Sequence, residues 1–287
     1  MQIFHTISEL RAALKNQANI AFVPTMGNLH AGHVKLIEVA KLHAACVVVS
    51  IFVNPLQFGK NEDLANYPRT LEADCNKLKQ IGANFVFAPK VEEMYPDFDG
   101  IDLNQNMTIT PSPISSELCG ALRPGHFAGV ATVVMKLFNI VFDNTAQPNV
   151  AVFGKKDYQQ LFIIRELVRQ FNLNIEIIGV DTIREADGLA MSSRNGYLTP
   201  MQRGEASRLH KALKLVAEAV QKGNRDFTAI EQQTSQFLTQ LGWIVDYISI
   251  RSAKTLLSPS THDAELIVLG AARLGPTRLI DNLEIPS

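Results

Sequence analysis

The chain has 287 residues, 46% hydrophobic and 19% charged, with 27 Lys+Arg against 28 Asp+Glu and a formal net charge of -1. That composition is that of a folded globular protein and excludes a disordered one. The neutral balance argues against a nucleic-acid binder, and the apolar runs are far shorter than the roughly 18 residues a membrane span needs. Met1-Gln2-Ile3-Phe4-His5 lacks a basic stretch followed by an apolar one, and Cys46, Cys75 and Cys119 form no C-x-x-C pair. Free thiols and a cytoplasmic location are therefore expected.

Thr6-Ile7-Ser8-Glu9 reads as a capping box opening a short helix. A buried strand over 20–23 ends at Pro24, a helix covers 34–43, and a second buried strand covers 46–52. A helix over 70–81 is stopped by Gly82, and a third strand over 85–88 is stopped by Pro89. Between 95 and 125 prolines and glycines break the pattern, which reads as loops around a short strand at 107–109. Such a long irregular stretch is usually a lid or a binding loop. A helix over 130–142, a strand over 150–153, a helix over 158–170 and a strand over 175–180 follow.

Continuous β-branched strands separated by helices predict an α/β fold, a Rossmann-like doubly wound parallel sheet covered on both faces. Such sheets bind ligands at the carboxyl ends of their strands. After residue 181 the pattern changes to helices over 200–222 and 227–241, a strand over 244–250, and partner strands over 265–272 and 278–280. A smaller C-terminal α+β domain over 182–287 is expected beside the Rossmann-like domain over 1–181.

Chemistry-bearing residues cluster at the predicted strand ends. Pro24-Thr25-Met26-Gly27-Asn28-Leu29-His30-Ala31-Gly32-His33 leaves the strand over 20–23 and enters a helix. Its glycines allow close backbone approach, and a helix start suits phosphate. His30 and His33 share one face and could neutralise charge on a leaving phosphate; a tight turn with one histidine capping the helix is the simpler reading. Gly154-Lys155-Lys156-Asp157-Tyr158-Gln159-Gln160 occupies the equivalent place after the strand over 150–153, and is no Walker loop. Met191-Ser192-Ser193-Arg194-Asn195 offers hydroxyls and a guanidinium fork to phosphate. Asn54-Pro55-Leu56-Gln57 places amides in an apolar setting, as a small polar substrate requires. Gly120-Ala121-Leu122-Arg123-Pro124-Gly125-His126-Phe127 reads either as a flap with a cation at its tip or as a surface loop.

H-x-G-H after the first long strand resembles the signature of the nucleotidylyltransferase superfamily. Together with IFVNPLQF, YPRT, GALRPGHF, GKKDYQQL and DGLAMSSRN, it is similar to the pantoate–β-alanine ligase family. The resemblance implies ATP-dependent joining of pantoate to β-alanine through pantoyl adenylate, releasing pyrophosphate and AMP. Carried over, Met26, Gly27, Asn28, Leu29, His30, Ala31, Gly32 and His33 hold ATP, together with Gly154, Lys155, Lys156, Asp157, Ile183, Met191, Ser192, Ser193 and Arg194. His33, His30 and Lys156 take catalytic roles. Gln57 and Gln160 bind pantoate, with Gln57 also near β-alanine, and Asp74 helps place Mg²⁺. The resemblance also implies a homodimer with a C-terminal lid. Lys155 stands where many relatives have Glu, as does Cys119, and Ala73 where some carry a second acid. A plain adenylyltransferase and a non-catalytic nucleotide-binding module are the competing readings. The Gln57 and Gln160 amides favour the ligase, and its product, an amide plus AMP, would separate it from both.

Overall fold

The computed structural model describes residues 1–59, 62, 64–142, 149–260 and 263–286. The chain forms two compact units, one of residues 1–155 and 160–181, the other of 156–159 and 182–287.

The first unit contains, in chain order, β1 (Gln2–Phe4), α1 (Ile7–Leu14), β2 (Ile20–Thr25), α2 (Ala31–His43), β3 (Cys46–Ile51), α3 (Leu71–Ile81), β4 (Phe85–Phe87), α4 (Val91–Met94), α5 (Cys119–Leu122), α6 (His126–Val141), β5 (Asn149–Gly154), α7 (Tyr158–Gln170, whose first two residues group with the second unit) and β6 (Ile175–Val180). Among the described residues its six strands run in the order β1-β4-β3-β2-β5-β6, and every pairing is parallel. Alternate residues of each central strand go to opposite faces. Ile20 and Phe22 join the core with Val130, Val134 and Phe138 of α6 and Ile164 of α7. Ala21 and Val23 join a second core with Leu36 and Ile37 of α2 and Leu78 of α3. Strands buried on both faces explain why the sequence shows apolar runs rather than alternation.

The chain winds outward from β2 through β3 and β4, then returns to β5 on the other side of β2. The gap between the carboxyl ends of β2 and β5 is thus the switch point of the sheet, where open α/β folds take their ligands.

Several boundaries differ from expectation for local reasons. β2 continues through Pro24 to Thr25. The Thr25 carbonyl accepts from Phe52 N–H on the β3 side, so the missing Pro24 donor faces β5, whose pairing has already ended at Phe22↔Ala151. No strand forms at 107–109; Met107 is 83% exposed, and the interval instead holds a 3₁₀ turn at Pro113–Ser116 and the short α5. α6 begins at His126 rather than 130, because Gly125 adopts the left-handed conformation (φ +81°) as its N-cap and His126 is buried. The short β1 and α4 carry no periodic signal and went unpredicted. β1 exists through its parallel pairing with β4. Cys46 and Cys75 are buried free thiols, and burial pushes Cys46 up to about 11, so neither behaves as a nucleophile.

The second unit holds α8 (Pro200–Glu205), α9 (Arg208–Gln221), α10 (Phe227–Gln240), β7 (Ile244–Ser252), β8 (Leu266–Leu274) and β9 (Thr277–Ile285). The strands form an antiparallel sheet in that order. The single helix expected over 200–222 is two, since the first turn ends at Ala206 and Ser207 is buried between them. Leu209, Leu213 and Val216 of α9 pack with Trp243, Ile248, Val268 and Leu279. Among the described residues, no helix is long and apolar enough to cross a membrane.

Candidate active site

The turn after β2 is built from backbone demands. Gly27 has φ +84°, and a Cβ there would lie 3.1 Å from Asp74 Oδ2 and 3.1 Å from Ile51 Cγ2. Asn28 follows at φ 52°, a conformation Asn tolerates better than most residues. Asp74, wholly buried on α3, fastens this turn: one oxygen accepts from Asn28 N–H (2.8 Å) and Thr70 Oγ1 (2.9 Å), the other from Leu29 N–H (2.8 Å). Lys77 donates to the Leu29 carbonyl at 2.6 Å.

α2 then begins, three residues earlier than expected, with His30 as its N-cap. His30 Nδ1 accepts from Gly32 N–H at 3.1 Å, and His33 Nδ1 accepts from His30 N–H at 3.3 Å. A side chain at Gly32 would meet the His30 ring at 2.8 Å, so the glycine of H-x-G-H lets the imidazole lie over its own helix start. The capping and catalytic readings of these histidines are therefore compatible. With Nδ1 accepting, each neutral ring carries its proton on Nε2. The rings lie 4.2 Å apart, giving two N–H donors at a helix N-terminus beside the switch point.

Next to this turn stand the amides after β3. Gln57, in a 3₁₀ turn at Pro55–Gln57, has Nε2 3.1 Å from Met26 Sδ and Oε1 3.1 Å from Asn54 Nδ2. Asn54 also donates to the Gly129 carbonyl at 3.2 Å. Here α6 packs backbone against backbone: a Cβ on Gly129 would be 2.4 Å from the Leu56 carbonyl oxygen and 2.8 Å from Gln57 Cα. Helix propensity alone makes Gly129→Ala stabilising by up to about 1 kcal/mol. The close approach reverses the sign, and the variant is expected to lose about 1–3 kcal/mol, measured by urea denaturation.

The cation in the segment at 120–127 does not face solvent. Arg123 makes a two-pronged ion pair with Glu62 (2.5 and 2.6 Å) and a further contact from Nη1 to His126 Nε2 at 2.9 Å. Burial pushes the Glu62 carboxyl up, but the Arg123 guanidinium outweighs it and holds the group below the usual carboxylate range. A guanidinium only donates, so the neutral His126 keeps its proton on Nδ1 and donates to the Gln57 carbonyl at 2.9 Å. Sequence reading missed Tyr95 and Lys77, which sit in no recognisable pattern, and the anchoring roles of Thr70 and His126, which lie in the YPRT and GALRPGHF segments but whose partners, Asp74 and the Gln57 carbonyl, nothing in those segments announces.

Gly154 ends β5, next to β2, and nothing would obstruct a Cβ there, which leaves room at the switch point. Lys155 pairs with Asp181 at 2.9 Å, an exposed partner, so the pair contributes little to stability. Gln160 lies half-buried on α7. In the second unit, Lys156 carries its carbonyl on Asn282 Nδ2 (2.9 Å), and Asp157 lies 3.9 Å from the Lys156 ammonium. Met191 N–H donates to the Ile183 carbonyl at 2.9 Å, joining those two candidates, and Ser192 Oγ caps the turn at Ser193–Tyr197 by accepting from Arg194 N–H.

The expected metal role of Asp74 does not fit this arrangement. Both its oxygens already accept hydrogen bonds inside the protein, away from solvent. Among the described residues no three His, Cys, Asp or Glu side chains gather to hold a metal. Asp74 is an anchor of the turn after β2.

A doubly wound parallel sheet with an H-x-G-H turn at its switch point places the chain among open α/β proteins that take their ligands at the carboxyl ends of the strands. The pantoate-beta-alanine ligase family model matches residues 2–284, and the chain belongs to that family of ligases. It is 66% identical over 284 residues to the pantothenate synthetase of Methylobacillus flagellatus, covering 99% of this chain and 98% of that one. It is 54% identical over 287 residues to that of Thiobacillus denitrificans, covering 100% and 98%. Its fold superposes on the crystal structure of Thermus thermophilus pantothenate synthetase with a TM-score of 0.90 at 43% identity over the whole of both chains. The Francisella tularensis pantoate-beta-alanine ligase, solved with βγ ATP and β-alanine, gives a TM-score of 0.80 at 33% identity, covering 99% of this chain and 97% of that one.

Proposed function

We propose that this chain condenses pantoate with β-alanine by way of pantoyl adenylate, releasing pyrophosphate and then AMP. Family membership supports the reaction, and one observation carries the site: two imidazoles, each with Nδ1 accepting a backbone N–H, at the helix start beside the switch point.

A carboxylate is a poor electrophile, and adenylation equips it with a good leaving group. Pantoate must be held in line with the α-phosphate, a positioning task assigned to Gln57 and Gln160. Negative charge grows on the departing pyrophosphate, where the Nε2–H groups of His30 and His33 are the assigned donors. Lys156, Ser192 and Arg194 are assigned to the same phosphates on the family resemblance, with the remaining backbone of 26–33 and Gly154, Lys155, Asp157, Ile183, Met191 and Ser193 holding the nucleotide. Mg²⁺ is assigned to the phosphates of ATP itself, the usual way that ion is carried. The homodimer and the lid role of the second unit belong to the same proposal.

ATP and pantoate without β-alanine are expected to support exchange of labelled pyrophosphate into ATP, with AMP appearing only once β-alanine is added. Exchange that strictly requires β-alanine would argue for a concerted path, and an AMP-containing final product for an adenylyltransferase.

A further inference from the structure

We propose that Tyr95 is a positioning residue that fastens the Asn54 amide and so holds the donor end of Gln57 toward the substrate. This rests on the pantoate reading of Gln57 given above.

Asn54 mediates the effect, and two neighbours without a choice of role dictate its orientation. The Leu56 N–H only donates and lies 3.3 Å from Asn54 Oδ1; the Gly129 carbonyl only accepts and lies 3.2 Å from Nδ2. Oδ1 is therefore the acceptor end, and Tyr95 Oη donates to it at 2.5 Å. The other Nδ2 hydrogen is donated to Gln57 Oε1 at 3.1 Å. Gln57 thus has its carbonyl engaged, and its Nε2 is held toward Met26 Sδ at 3.1 Å, on the side of the H-x-G-H turn. Thioether sulfur is a weak acceptor, so an oxygen of the substrate displaces it readily. The relay makes Gln57 a reader of acceptor oxygens, such as the carboxylate or hydroxyl oxygen of a hydroxy acid, rather than of donors.

Tyr95 is wholly buried, 41 residues from Asn54 in sequence, with its ring packed against Phe52 and under the Lys136 ammonium. Those contacts survive in Tyr95→Phe. What is lost is the short hydroxyl bond, leaving Asn54 Oδ1 with the 3.3 Å bond from Leu56. Both amides then turn over more easily, and Gln57 presents its donor for less of the time.

The test is a double-mutant cycle with steady-state kinetics on the intact chain. Tyr95→Phe is expected to raise KM for pantoate about tenfold while KM for ATP stays within about twofold, and to add nothing in a Gln57→Ala background. An unchanged pantoate KM, or a defect that multiplies that of Gln57→Ala, overturns the relay while the pantoate reading stands. If Gln57→Ala itself leaves pantoate KM unchanged, that reading fails and the relay with it. Asn54→Asp, of the same shape but with an acceptor facing Gln57, is the second variant. It is expected to weaken pantoate use more than Tyr95→Phe; an equal or smaller effect also overturns the proposal.

Discussion

His33→Ala is expected to slow pyrophosphate release about 10²–10³-fold, about 3–4 kcal/mol of transition-state stabilisation. The ring accepts from His30 N–H through Nδ1 at 3.3 Å, which puts the proton of the neutral imidazole on Nε2. That donor is preorganised, because the helix start holds the ring before any ligand arrives. The same bond gives the side chain a structural share, so the variant also loses about 1 kcal/mol of stability, a fall of a few degrees in Tm. Supplying synthetic pantoyl adenylate with β-alanine bypasses the first step, and amide formation is then expected near the native rate. A variant equally crippled with the preformed adenylate, or one that melts early but releases pyrophosphate normally, would take His33 out of the adenylation step.

Asp281→Ala is expected to cost about 3–5 kcal/mol of folding stability at neutral pH. Asp281 is 5% exposed; it accepts from Arg184 at 2.7 and 2.9 Å and lies 3.1 Å from His210 Nδ1. Burial pushes its carboxyl up, but the hydrogen bonds from His210 and Arg184 outweigh that and leave it below the ordinary value. A depressed carboxyl contributes stability that is fully present above the unfolded pKa, about 3.9, and is lost as pH falls through the folded value. The difference between the native chain and the variant is therefore constant around neutrality and narrows in acid, below about pH 4. Urea denaturation at pH 7 and pH 3 measures both, and a gap that widens in acid would contradict the assignment. Arg184 also donates to the Gly188 carbonyl at 3.1 Å and bridges to Ala190, just before Met191. Folded variant protein is thus expected to show a raised KM for ATP.

Much of this molecule is legible in short-range pattern. The apolar runs at Ile20 and Cys46, the glycine stop at Gly82 and the capping box at Thr6 are local signals, and the elements they announce form, the Ile20 strand running two residues beyond its expected end. The order of strands and helices implies a parallel sheet, and chirality of the crossovers then leaves few ways to wind it. H-x-G-H is legible for the same reason: the spacing that puts two imidazoles on one helical turn is contained in four consecutive residues.

What holds that turn and aims its neighbours is carried by side chains distant in sequence. Asp74 reaches back 46 residues to Asn28, and Arg123 reaches 61 to Glu62. The family resemblance implies a metal role for Asp74, and Arg123 reads as a cation on a flap tip or in a surface loop. A carboxylate removed from water, as Asp74 is, must find partners inside the protein, and the half-buried Arg123 guanidinium is taken up by an ion pair; those partners define the role of each. Gly129 shows the same limit. Nothing in a run of helix residues says that a carbonyl from residue 56 will arrive 2.4 Å from where a side chain would start. Periodicity reports which face of an element is buried, whereas the identity of what it is buried against comes only when the chain closes on itself.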